Sequence, residues 1–250
     1  YKEQGALPMS VDDAVTMMKP NYDNYCFSEN KLADCMFNSD MVLYCMKSLI
    51  LHGVKPKEIV DPNIRTDFNK LAYLVRLDHG LGENFSVIKE IAEQGEIVTE
   101  IVTHFSALEM TDVGNFKSLL FYFGLLSIKG VDMMGRPILH IPNLVVREQL
   151  FNFLIQGYAR HDIFKLDVNR LRTLFENMSF KGDWKPMFEF LAEAIREQSR
   201  IREYIEGEAH IKGFLLAYLS MFRYYQLYPE YEMNKGFADF FFKPSPAAPV

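Results

Sequence analysis

Several chemistries are excluded by what this 250-residue sequence lacks. It has three cysteines, Cys26, Cys35 and Cys45, and no Cys-x-x-Cys pair, so zinc and dithiol redox motifs find no support. Its six histidines show no zinc-ligand spacing. It contains no Gly-Lys pair, so it cannot hold a nucleotide triphosphate in a P-loop. It also lacks the Gly-x-Ser-x-Gly pattern that would anchor a hydrolase nucleophile.

The sequence also shows no signal peptide and no apolar run long enough to span a membrane, so we expect a cytoplasmic protein with reduced thiols. A formal charge of −6 argues against a generally basic nucleic-acid-binding surface. With 49% apolar residues, 21 Phe and 13 Tyr, the chain can build a full core. Because it begins at Tyr1 rather than Met, we expect a fragment of a longer protein.

Hydrophobic periodicity predicts a mainly helical α+β protein with a helical N-terminal unit over residues 1–105. One helix should follow Ser10 and end before Pro20, with an extended aromatic segment after it. The remaining elements of this unit are a helix from Ser39 to His52, a turn at 60–63, a helix from Thr66 or Asp67, a helix over 85–92 and a strand over 96–102.

Residues 106–165 show the order helix, hairpin, helix, which is typical of a winged-helix-like module. The helix spans 115–126, the strands 127–130 and 136–141, and Asn143 caps the next helix. The first helix has almost no polar residues, and a base-reading helix would need Arg, Asn or Gln on its outer face. We therefore expect this module to serve in domain packing.

Residues 166–243 predict a third unit, helical at first and closed by a β-hairpin. Its helices should span 168–178, 185–205 and 207–226, and the hairpin turns at Asn234-Lys235-Gly236. Residues 244–250 are a proline-rich tail that can extend no strand.

The last strand carries one acid, Asp239, within the apolar run Phe-Ala-Asp-Phe-Phe-Phe. A carboxylate buried there is costly unless it is paired or binds a cation. Two interpretations stay open: a structural acid paired with a nearby Lys or Arg, or a ligand of Mg²⁺. Glu230 and Glu232 share one face of the preceding strand and indicate a solvated edge with an accessory role at most.

Glu208 precedes Ile211, Leu215 and Phe222 at steps of three, seven and fourteen residues, which places all four on one helical stripe. In one interpretation it is a first-turn acid favoured by the helix dipole, slightly outside the core. In the other it is a buried carboxylate that faces Asp239 across a helix–sheet contact.

Several segments resemble a predicted AAA-ATPase-like family that is common in gut-type Bacteroidetes and carries a C-terminal nuclease-like domain of the PD-(D/E)XK class. The resemblance spans most of the chain and is most specific over 21–67 and 112–143. The residues that carry it are 21–28, 37–39, 60–67, 116–126 and 141–143.

The resemblance implies metal-assisted phosphodiester hydrolysis with Mg²⁺ as cofactor and nucleic acid as partner. It makes Glu208 the helix acid, which orients a ligand or water, and Asp239 the metal-binding strand acid. The sequence departs from the family at Phe237, where a basic residue is usual, and no Glu-x-Lys follows Asp239. The resemblance also makes residues 1–105 the helical, lid-like end of an ATPase, whose ATP-binding motifs are absent from this sequence and would belong to an upstream domain. We therefore expect this chain alone to be inactive; the alternative is a non-catalytic binding or regulatory module.

Overall fold

The computed structural model describes residues 7–32, 34–56, 60, 83–160, 166–198, 208–222, 224–234 and 236–244. The chain divides into two compact units, one made of Tyr1–Ile91 and Gly95–Gln149, the other of Ala92–Gln94 and Leu150–Val250. The fold is mainly helical with small antiparallel sheets, as the sequence predicts. Across these ranges, no helix combines the length and the apolar character needed to cross a membrane.

The first unit begins with two helices, α1 at Val11–Tyr22 and α2 at Ser39–His52. Ser10 caps α1 as predicted, because its hydroxyl accepts a hydrogen bond from the Asp13 N–H at 3.0 Å. The two helices share one buried cluster formed by Ala14, Met18, Tyr22, Met41, Cys45 and Leu49, together with Val60 and Val145.

The prediction that α1 ends before Pro20 is wrong, because the helix continues to Tyr22. Proline has no N–H, so the helix continues through Pro20 without the hydrogen bond that would reach the Thr16 carbonyl. The Asp23 N–H donates to the Lys19 carbonyl at 3.2 Å and closes the last turn. The extended segment therefore starts only after Tyr22, and within it Tyr25 forms an isolated antiparallel bridge with Met36.

The elements that follow in the chain include the predicted order of helix, hairpin and helix. Helix α3 spans Glu83–Gln94 and is followed by strand β1 at Glu96–Val98, which is shorter than the predicted strand over 96–102. The hairpin strands pair with β1 in one antiparallel sheet of order β1-β3-β2. The remaining elements are α4 at Val113–Tyr122, β2 at Ser127–Val131, β3 at Pro137–His140 and α5 at Leu144–Arg160.

Helix α4 is packed into the first unit along most of its surface, with Phe116, Ser118, Leu119, Leu120 and Phe121 buried. The Ser118 hydroxyl accepts a hydrogen bond from the Val102 N–H at 2.9 Å and donates to the Gly114 carbonyl. The helix ends at Tyr122, four residues earlier than predicted, because Gly124 follows in a left-handed conformation with φ of 70°.

The second unit contains α6 at Val168–Lys181, α7 at Lys185–Gln198 and α8 at Glu208–Leu219, then β4 at Tyr225–Met233 and β5 at Gly236–Pro244. The prediction of a helix over 207–226 is wrong at its end, since Tyr225 and Gln226 already belong to β4. The residues at the end of the predicted helix are largely aromatic, and aromatic residues are enriched in strands, so they favour β4 there. The predicted helical residues 199–205, the turn at 61–63 and the helix from Thr66 or Asp67 lie outside the described residues.

Candidate functional site

The candidate site lies in the C-terminal part of the second unit, where α8 leads into the β4–β5 hairpin. The hairpin is a regular antiparallel ladder with pairs from Tyr225–Pro244 to Met233–Gly236. Glu230 and Asp239 lie between the pairs Pro229–Phe240 and Tyr231–Ala238, near the middle of the ladder. The sequence thus predicts the hairpin and its turn correctly, and the structure supplies the register.

Asp239 is exposed, so its carboxylate does not face the cost of burial in an apolar strand. The apolar residues beside it suggested a covered strand, but Phe240, Phe241 and Phe242 are only half-buried and Phe237 is 70% exposed. In the parts of the chain that the structure describes, no ion pair joins Asp239 to a basic side chain. Its carboxylate therefore needs no buried partner and is open to an ion from solvent.

Aromatic rings surround this acid along the strands. Tyr231 and Phe241 stack with ring centroids 4.4 Å apart, and Tyr228 contacts both rings. At the other end of β5, Phe242 packs edge-on against Phe188 of α7 and Tyr225 of β4. The hairpin is thus anchored to the helices at its open end, whereas Asp239 lies on the part toward the turn.

Helix α8 is the second element of the candidate site, and Glu208 is its first residue. The predicted core stripe on this helix is wrong in detail, because Ile211 and Leu215 are half-buried while Phe214 and Tyr218 are almost fully covered. The helix is apolar on nearly all sides, so no single stripe marks its core face. Burial raises the pKa of the Tyr218 phenol to about 12, with a smaller opposing effect of the Leu166 backbone, and the phenol stays neutral.

The structure does not test the pairing of Glu208 with Asp239. The side chain of Glu208 lies outside the described residues, as does that of Glu230. Among the described residues, no group of three His, Cys, Asp or Glu side chains could hold a metal ion together. Asp239 fits the role of one hard oxygen ligand, because Mg²⁺ keeps several waters and is often bound through one or two carboxylates.

Comparison with known families supports a nuclease-like character for this segment. Residues 206–249 match the PD-(D/E)XK nuclease superfamily, and the match covers α8, β4 and β5. The resemblance to this class is thus confirmed for the C-terminal segment, and the AAA-ATPase-like and Bacteroidetes parts of it stay predictions. No curated protein and no solved structure matches the chain significantly.

One feature of the site was missed by reasoning from sequence: the aromatic cluster of Tyr228, Tyr231 and Phe241 next to Asp239. The signal was present, because Tyr228 and Tyr231 fall on the strand that pairs with the Phe-rich strand. Strict alternation would place Tyr231 and Phe241 on opposite faces, however, and only the structure shows their rings in contact.

Proposed function

We propose that residues 206–249 are part of a PD-(D/E)XK nuclease-like domain and that the protein containing them hydrolyses phosphodiester bonds in nucleic acid with the help of Mg²⁺. The observation that carries this proposal is the family match over α8, β4 and β5. The matched segment contains Glu208 and Asp239, which we propose as the helix acid and the strand acid of such a domain.

In this proposal the exposed carboxylate of Asp239 supplies oxygen ligands to Mg²⁺ from the middle of β5. The bound ion would supply Lewis acidity, lowering the pKa of its water and neutralising charge on the phosphate. Glu208 would orient a ligand or water from the start of α8. Phe237, 70% exposed near the turn, would offer a face for stacking with an unpaired base.

We further propose that this chain does not cleave nucleic acid by itself, since no Glu-x-Lys follows Asp239 in the sequence to complete the metal site. The unit over 1–105 would then be the lid-like part of an ATPase, and 106–165 a winged-helix-like module. The burial of α4 supports a packing role for that module, because a covered helix cannot enter a DNA groove. A cytoplasmic location accords with this organisation.

A non-catalytic binding or regulatory module is the second candidate function. The observation in its favour is the exposure of Asp239, because an exposed carboxylate is stable in water without any cation. In this alternative Asp239 is an ordinary surface acid, and the helical units hold a partner.

A divalent-ion titration separates the two candidates. We expect Asp239→Asn to weaken Mn²⁺ binding by the 250-residue chain at least about 10-fold, since this substitution removes a ligand. The dissociation constant is measured from the electron paramagnetic resonance signal of free Mn²⁺. Because Asp239 is exposed, the substitution should change the free energy of unfolding by no more than about 0.5 kcal/mol.

Asp183→Asn is the matched control, since Asp183 is an exposed acid between α6 and α7 in the same unit. It should leave the Mn²⁺ dissociation constant unchanged. Equal binding by the parent chain and the Asp239→Asn variant would overturn the metal-site proposal and favour the binding module. A Mg²⁺-dependent cleavage assay on plasmid DNA should show no cleavage by this chain, and cleavage would refute the proposed inactivity.

A further inference from the structure

Two of the three cysteines lie opposite each other in the first unit. Tyr25 and Met36 exchange both backbone hydrogen bonds, at 3.0 and 2.9 Å, and form an isolated antiparallel bridge. Cys26 and Cys35 are the residues next to this bridge on the two segments. In a regular ladder this position is a non-hydrogen-bonded pair, whose Cα spacing of about 4.5 Å falls within the range of roughly 4.4–6.8 Å that a disulfide spans.

The side chains agree with the backbone register. The Cys26 side chain lies close enough to Cys35 to contribute a charge interaction and a hydrogen bond to the environment of the Cys35 thiol, and both effects raise its pKa. Neither is part of a disulfide in the structure. Each sulfur also lies near a carbonyl of the intervening loop, Cys26 Sγ 3.3 Å from Ser28 O and Cys35 Sγ 3.5 Å from Leu32 O.

The two cysteines differ in how they are held. Cys26 is buried and fixed to β2, because its N–H donates to the Ser127 hydroxyl at 2.7 Å and its carbonyl accepts from the Ile128 N–H at 3.0 Å. Cys35 is exposed and open to solutes. One thiol is therefore accessible for the first reaction, and the other is held in place to complete it.

We propose that Cys26 and Cys35 form a reversible redox site that closes a disulfide across this bridge when a small-molecule disulfide such as oxidised glutathione is present. The Cys35 thiolate attacks the oxidant, which releases one reduced thiol and leaves a mixed disulfide on Cys35. The Cys26 thiolate then attacks the Cys35 sulfur and expels the second reduced thiol. The protein loses two electrons and two protons, and the oxidant gains them.

The surroundings of Cys35 make this reaction dependent on pH. Partial burial of the sulfur raises the pKa of Cys35, and the Cys26 thiol and the carboxylates of Asp23 and Asp34 raise it further. Since the thiolate is the attacking species, oxidation should be slow at neutral pH and faster in mildly alkaline solution. The pair is thus suited to a slow response to oxidising conditions.

The site is tested by incubating the native chain with oxidised glutathione, alkylating the remaining thiols and measuring the intact mass. We expect one alkylated cysteine in place of three, and no retained glutathione. Trypsin cleaves after Lys31, between the two cysteines, so the link joins two peptides, and fragmentation distinguishes Cys35 from Cys45. The oxidised protein should also melt at a higher temperature than the reduced one, because the link restricts the unfolded chain.

Two variants provide the controls. In the Cys35→Ser variant, both remaining thiols should still be alkylated after incubation with oxidised glutathione. Its melting temperature should not rise on this treatment. Because Cys35 is exposed, the substitution should leave folding intact. Cys45→Ala should still form the link, because Cys45 is buried in the cluster between α1 and α2. A stable glutathione adduct on Cys35 with Cys26 still alkylatable would overturn the proposal. So would a link that includes Cys45 or forms only in denaturant.

Discussion

The two β-hairpins in the described part of the chain differ in how they are covered. In the first unit, β3 pairs with β2 on one side and β1 on the other, and its residues alternate between buried and half-buried. In the second unit, β4 and β5 pair only with each other among the described residues, and most of β5 is exposed or half-buried. The more apolar of the two hairpins is thus the less covered one, and this exposure makes Asp239 accessible.

The comparison also extends to one aspartate in each hairpin, Asp132 and Asp239. Asp132 in the β2–β3 turn is held by its own loop, since its carboxylate accepts from the Met134 and Arg136 N–H groups at 2.9 and 2.8 Å and pairs with the Arg136 guanidinium. Asp239 in β5 has no ion pair among the described residues. An acid whose oxygens are already used stabilises a turn, whereas an acid without such partners can bind a ligand.

The largest expected difference concerns apolar truncation in the two hairpins. Leu139→Ala removes a fully buried side chain from the central strand β3 and should lower the free energy of unfolding by about 2–5 kcal/mol. Phe237→Ala removes a side chain that is 70% exposed and should change it by no more than about 0.5 kcal/mol. Urea denaturation followed by circular dichroism measures both. Similar losses would show that the second hairpin is covered after all.

A smaller loss of unfolding free energy is expected when the hydrogen bonds between the first hairpin and the Cys26 segment are removed. Ser127 is fully buried, and its hydroxyl accepts from the Cys26 N–H and donates to the Asn24 carbonyl, both at 2.7 Å. Ser127→Ala leaves these groups unsatisfied and should cost about 1–3 kcal/mol of unfolding free energy in the same assay. Ser48→Ala, which removes a solvent-exposed hydrogen bond, is the control and should cost less. Equal costs would contradict this account.

The smallest effect concerns the pH dependence of the β2–β3 turn. The Arg136 backbone N–H, with further help from its side chain and from Met134, lowers the pKa of Asp132. A carboxyl whose pKa is lower in the folded protein stabilises it above the unfolded pKa, and this contribution is lost as pH falls through the folded value. The amide shifts of Met134 and Arg136 should therefore titrate with a midpoint below that of an ordinary Asp. Asp132→Asn should abolish the titration, and a midpoint at the ordinary value would contradict the account.

Much of the fold could be predicted because helix caps and hydrophobic periodicity depend on residues close in sequence. Ser10 and Asn143 cap their helices as predicted, and their hydroxyl and amide oxygens accept from Asp13 and Val146. Leu150 and Leu154, four residues apart on α5, are both buried, as expected for one face of a helix. These features depend on neighbours close in sequence, which a pattern can reveal.

The candidate site was less predictable because it depends on tertiary packing. The apolar run around Asp239 predicts a strand correctly, but whether another layer covers that strand is decided by distant residues. The buried face of α8 could not be predicted either, because apolar residues occur on nearly all sides of this helix. The roles of Glu208 and Asp239 rest on the family resemblance and stay predictions.

The central claim is that Asp239 binds a divalent metal ion, and locating the ion is the most direct test. In the nuclear magnetic resonance spectrum of the chain, substoichiometric Mn²⁺ should broaden the amide signals of Ala238, Asp239 and Phe240 first, because relaxation by Mn²⁺ falls steeply with distance. Asp239→Asn should remove this broadening, and Asp183→Asn should leave it unchanged. Broadening that begins elsewhere on the chain and is unaffected by Asp239→Asn would contradict the claim.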